Sequence, residues 1–112
     1  MLERFVVEQN VAKFADCLCN ECDPERQDIL RELLLQEINR FSVRSYHIEL
    51  VQRHIDECQR RIEGQTLLIF DMISAGRDTT EANSALGNMR KTLELFQALQ
   101  TGFIKDLDRG KL

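Results

Sequence analysis

Four cysteines and two histidines are the residues of this 112-residue chain whose types and spacing could do chemistry. Cys17-Leu18-Cys19-Asn20-Glu21-Cys22 holds a C-x-x-C pair, and His54 and Cys58 stand four apart, which puts them on one face of a helix. Thiolate and imidazole are the ligands that zinc prefers. Cys19, Cys22, His54 and Cys58 could therefore close a tetrahedral site and make the chain a small metal- or ligand-responsive regulator. Spacing favours a plainer role. The 31 residues between Cys22 and His54 read as helix rather than as the short loop of a zinc finger, and no Gly- or Lys-rich knuckle flanks the pair. Cys58 also falls within an apolar stripe, where a free cysteine behaves as a small hydrophobe. Packing thiols, with no metal and no cofactor, are the expectation. A thioredoxin-type redox pair would need a strand leading into a helix, and no strand is read here.

His47 and His54 are seven apart, again on one helical face, near Glu49, Asp56 and Glu57. A di-iron carboxylate bundle needs Glu-x-x-His on two helices, and neither histidine has a Glu three residues before it. A phosphotransfer-like helical hairpin is a further alternative. His47-Ile48-Glu49-Leu50 faintly resembles the histidine box of kinase dimerisation hairpins, but lacks the basic and Pro residues that follow there and has no nucleotide-binding half beside it. Histidines lying on a polar helix flank explain the pair more simply. No Gly-rich phosphate loop occurs, and no nucleophile, base and orienting residue group together, so no enzyme is expected.

The elements that must hold these residues are helical throughout. Val7, Val11, Phe14 and Leu18 recur at spacings of four, three and four and predict a helix over about residues 2–21. Asp23-Pro24-Glu25-Arg26 then restarts the chain: Asp23 can cap, and Pro24 suits the first helical position. Leu34, Phe41, Ile48, Ile55, Ile62 and Ile69 follow at intervals of seven, predicting helix over 24–75. Ser42-Val43-Arg44-Ser45 is a weak stretch, so this helix is kinked, broken near 42–46, or continuous; all three stay open. Gly76 marks a helix end, and Asp78 with Glu81 has the form of a capping box, unless Thr79 takes the cap. The last helix, over 79–107, carries Ala82, Leu86, Met89, Leu93, Phe96, Gln100, Phe103 and Leu107.

Two apolar seams joined by a short turn predict a long antiparallel, coiled-coil-like helical hairpin in one all-α domain spanning 1–112, with one or two shorter N-terminal helices. The seam consists of Ile48, Val51, Ile55, Cys58, Ile62, Ile69 and Met72 on one arm and Leu86, Met89, Leu93, Phe96 and Phe103 on the other. Pairing outward from the turn sets Met72 near Ala82, Ile62 near Leu93, Cys58 near Phe96 and Ile48 near Leu107. Gln65 and Gln100 inside the seams read as register markers. Arms of about 40 Å exceed a compact globule of this length, whose radius of gyration would be about 13 Å. Leu50, Leu67, Leu68, Ile73, Leu95 and Leu99 then need cover from the first helix and from a second copy, which predicts a homodimer with a four-helix bundle core.

Charge and composition narrow the partners. Fifteen basic against nineteen acidic residues give a net charge of −4, which argues against broad nucleic-acid binding. Arg53, Arg60-Arg61 and Arg90-Lys91 are basic spots on acidic helices, explained by surface ion pairs such as Glu57 with Arg61; shaped RNA, as in plasmid-copy-control hairpins, is an analogy of architecture only. The longest apolar run, Leu67-Leu68-Ile69-Phe70, is far short of a membrane span, and acidic Glu3 and Glu8 are wrong for a signal peptide. A cytoplasmic protein with reduced thiols is expected.

His54-Ile55-Asp56, Arg60-Arg61-Ile62, Gln65, Leu68-Ile69, Gly76-Arg77-Asp78-Thr79, Ala82 and Met89-Arg90-Lys91-Thr92-Leu93 together resemble a group of short, uncharacterised helical proteins of rhizobial and related alphaproteobacteria. Asp23-Pro24-Glu25-Arg26 with Leu33-Leu34-Leu35 is similar to a second short helical motif of such genomes. The resemblance implies the hairpin and a bacterial cytoplasm, and assigns no activity. The reading of the sequence is a non-enzymatic helical oligomerisation or protein-interaction module, a homodimer with scope for a further protein partner.

Overall fold

Helix ends follow the punctuation of the sequence. A computed structural model describes residues 2–21, 23–40 and 44–110, and among these it is all-α: α1 (Leu2–Asn20), α2 (Pro24–Asn39), α3 (Arg44–Ser74) and α4 (Thr80–Asp108). Pro24 opens α2, and Asp23 accepts a hydrogen bond from the Glu25 amide at 3.2 Å. The cap suits a first turn whose amides have no partners of their own. α2 closes with the Arg40 amide donating to the Glu37 carbonyl at 3.2 Å, and α3 is a separate helix from Arg44. Phe41, placed in the heptad by the sequence, lies outside the described residues, as do Ser42 and Val43.

α3 ends on two bonds: the Gly76 amide donates to the Ile73 carbonyl at 3.0 Å, and the Arg77 amide to the Met72 carbonyl at 2.9 Å. This Schellman arrangement needs a left-handed residue, and Gly76 supplies it at φ 69. The expected capping box does not form. Asp78 sits two residues before the first residue of α4, one beyond the cap position, and accepts from both the amide (3.0 Å) and hydroxyl (2.7 Å) of Thr80. Thr79 holds the cap position without a side-chain cap bond; instead its hydroxyl accepts from the Asn83 amide group at 2.9 Å. Asp78 therefore shapes the turn, and Glu81 has no reciprocal role.

α3 and α4 pack along their lengths. Val51, Ile55, Cys58, Ile69, Leu86, Phe96 and Phe103 are buried there, while Ile48, Ile62, Met72, Met89 and Leu93 are half-buried. Leu107, placed on the seam by its spacing, is largely exposed. Register differs from outward pairing at the turn by about one helical turn. Phe96 stacks on His54 (centroids 5.1 Å apart, planes at 14°), one turn along α3 from Cys58, with which it shares the buried cluster, and Phe103 lies against His47 at 5.4 Å rather than one turn further along. Gln100 donates to Gln52 at 2.7 Å, and Gln65 to the Ala82 carbonyl at 2.9 Å. More of α3 than of α4 thus lies between these contacts and the connection. One turn of overhang is about 5.4 Å, a distance that the non-helical Gly76–Thr79 stretch covers on its way back to α4.

α1 fills the trough that a two-helix layer leaves open. It packs on α2 and α4 and touches α3, burying Val7, Val11, Ala15 and Leu18. Leu34 and Ile38 of α2 close over the same cluster. The heptad that runs through Leu34 is therefore two faces with different partners: α2 packs on α1, and α3 on α4. α4 likewise presents a second face: Asn88 and Thr92 are buried, and Leu95 and Leu99 are partly buried against the core. Gln27 of α2 donates to Asn88 at 3.1 Å and to the Glu21 carbonyl at 2.6 Å, so a buried amide pair ties α2 to α4. The molecule measures 54 × 25 × 25 Å with a radius of gyration of 15.8 Å, longer than a compact chain of this size. No helix among the described residues is long and apolar enough to cross a membrane.

Candidate functional site

Where α1 crosses α3 and α4, polar side chains collect around a cavity of about 260 Å³ lined by Ala12, Ala15, Cys19, His54, Glu57, Cys58 and Arg61. Helical spacing aligns His54, Cys58 and Arg61 along one side of α3, four and three residues apart. Ala12, Ala15 and Cys19 face them from α1 at the matching intervals of three and four. Small Ala side chains leave the space that larger residues would fill. Arg61 bridges the helices, its guanidinium 3.1 Å from Asp16 and 3.6 Å from Glu57.

Cys19 and Cys58 are 1% and 3% exposed and face each other across the cavity from α1 and α3. The hydrogen bond from Cys58 is the first influence lowering the Cys19 pKa to about 6, against the opposing cost of burial. Thr92 and Arg61 add to the lowering. The same bond pushes Cys58 up, and burial and the nearby Glu57 add to that. Cys19 is the member of the pair that ionises, because Thr92 acts on it alone while Glu57 repels charge on Cys58. Thr92 has a single hydroxyl proton, given to the Asn88 carbonyl at 2.9 Å, with the Cys19 sulfur as its other acceptor. A charged sulfur competes well for it.

His54 is half-buried, and desolvation first, then Arg53 and Arg61, hold its pKa below that of an ordinary imidazole; Glu57 opposes weakly. It is neutral at pH 7 and stacked on Phe96. His47 is buried against Phe103 and Tyr46, where a phosphoryl donor would not reach it without an opening of the core. Of the four residues grouped as zinc ligands, Cys19, His54 and Cys58 share the cavity, and Cys22 lies outside the described residues. No three His, Cys, Asp or Glu side chains among the described residues converge to hold a metal ion. Arg61 and Thr92 escaped notice in the sequence, where Arg61 reads as a surface charge. Its position three residues after Cys58 was the available signal.

A second surface is apolar. Leu67, Phe70 and Ile73 of α3 are 66%, 66% and 61% exposed, with Leu68 also exposed beside them. They occupy the part of α3 nearest the connection. Leu50, by contrast, is buried, and Leu95 and Leu99 are partly covered by the core that α1 completes. Of the six residues for which cover was expected, three thus remain open.

Fold and cavity together define an all-α protein of four described helices with a buried dithiol. No protein-family model, curated protein or solved structure matches the chain.

Proposed function

We propose that the chain is a non-enzymatic helical interaction module that forms a homodimer. In this reading α3 and α4 act as an antiparallel hairpin, α1 and α2 buttress its outer end, and α3 next to the connection supplies the contact. The exposure of Leu67, Phe70 and Ile73 within one helix end carries the proposal. A protein that leaves three large apolar side chains side by side in water gains by covering them, at about 25 cal/mol per Å² removed from solvent. Two copies of α3 related by a twofold axis present the same residues to each other. The apolar seam along which α3 packs on α4 supports a structural role and names no reaction.

Thermal unfolding at several protein concentrations tests this. A dimer melts higher as concentration rises, by mass action. The wild type is expected to show that dependence and Phe70→Glu to lose it, without loss of helix by circular dichroism. A wild-type midpoint independent of concentration would refute the homodimer.

A second reading rests on the lining of the cavity, where the buried Cys19 and Cys58 lie with His54 and Arg61: a small responsive regulator acting at the cysteine and histidine region.

A further inference from the structure

We propose that Cys19 and Cys58 form a peroxide-responsive dithiol, in which Cys19 is the nucleophile that a hydroperoxide oxidises and Cys58 the thiol that converts the product to a disulfide joining α1 to α3. Four observations bring the parts together. Cys19 of α1 and Cys58 of α3 are both buried and face each other across one cavity. Both line a cavity of about 260 Å³, ample for a two-oxygen molecule. Arg61 lines the same cavity, is partly exposed at its rim, and places a fixed positive charge beside the sulfur. The Thr92 hydroxyl lies within reach of Cys19 from α4.

The chemistry balances without a cofactor. The Cys19 thiolate attacks one peroxide oxygen, the O–O bond breaks, and hydroxide leaves; sulfur loses two electrons and becomes a sulfenic acid. The Cys58 thiol then attacks that sulfur. An S–S bond forms, the sulfenic hydroxyl leaves with the Cys58 proton as water, and the two thiols have been oxidised by one hydroperoxide. Arg61 stabilises the thiolate before the first step and the departing hydroxide during it. Cys58 stays protonated until its turn, as its burial and Glu57 dictate. It is thus a donor to Cys19 in the resting state and the attacking group afterwards. Cys17 stands two residues from Cys19, off the face that meets α3, and lines a different, apolar pocket with Ile29 and Leu30. It is not placed to compete.

The test mixes the reduced full-length chain with one equivalent of hydrogen peroxide, quenches with N-ethylmaleimide and maps the peptides by mass spectrometry. The same reaction in concentrated urea gives the rate of the unfolded thiols. Expected is a Cys19–Cys58 linked peptide within one chain. A thiol of pKa about 6 is far more ionised than one of about 8.5 but intrinsically less nucleophilic. These opposing effects leave the folded chain about twofold faster than the unfolded one at pH 7 and about tenfold faster at pH 6. Cys58→Ser should hold Cys19 as a sulfenic acid that dimedone traps, whereas Cys19→Ser should leave Cys58 unreacted. The linked form should melt higher by on the order of 10 °C. Linkage through Cys17 or Cys22, linkage between chains, or oxidation no faster than in urea would overturn the proposal.

Discussion

Cys19 and His54 make the cavity respond to pH in two separate windows. The folded pKa of Cys19 lies below that of an unfolded thiol, so its stabilising contribution is full above about pH 8.5 and is lost as pH falls through about 6. Cys58 works in the opposite sense. Its raised pKa contributes stability below about 8.5 that is lost at more alkaline pH, which ends the rise. His54 has a folded pKa below about 6.5, so its contribution is present above that value and lost as pH falls through the folded pKa, when a proton must enter beside Arg53 and Arg61. Thermal midpoints measured from about pH 5 to about pH 9 should show both slopes. Cys19→Ser should flatten the upper window and His54→Gln the lower, each leaving the other intact; a wild-type midpoint flat across both windows would contradict the account. Helical spacing made the nearness of His54 and Cys58 legible in the sequence. Spacing also puts Arg61 on the side of α3 that carries Cys58, but nothing local tells which side of α3 or which face of α4 a crossing helix will cover, so the cavity itself and the part of Thr92 in it were not legible.

Helix boundaries were the most legible feature, and they rest on a few residues with backbone work to do. Asp23 and Pro24 start α2 as their chemistry dictates, and Gly76 ends α3 at φ 69. Gly76→Ala forces a Cβ into the left-handed region and should cost about 1–2 kcal/mol in urea unfolding. Gly102, inside α4 with open space around its missing Cβ, should behave oppositely: Gly102→Ala is expected to stabilise by about 1 kcal/mol. Equal effects at the two sites would remove the distinction between them. Register was less legible than boundaries. Outward pairing assumed that both arms leave the turn together, whereas the overhang of α3 shifts every contact, so that Phe96 finds His54 and Phe103 finds His47. The heptad through Leu34 misled for a related reason. An apolar stripe records that a face is buried and does not name the partner, and α2 turns that stripe onto α1.

At the scale of the molecule, length and apolar exposure belong together. A 54 Å body only 25 Å across cannot wrap its own ends, and α1 and α2 reach only part of α3. On α3, Leu67, Leu68, Phe70 and Ile73 are the large apolar side chains left exposed, beyond the reach of the buttress. The apolar excess on α3 was readable from the sequence, but its reduction to this one end was not, because Leu50, Leu95 and Leu99 are covered by a helix whose docking leaves no local signature. A stable dimer typically buries about 1,200–2,000 Å² in total, so the proposed contact has to extend from these side chains onto the flanks of the helix end. Light scattering after size exclusion, at micromolar concentration, tests the proposed assembly most directly. The account predicts a particle of twice the 13.1 kDa chain mass, reduced to a single chain by Phe70→Glu. A folded wild-type particle of single-chain mass would contradict it.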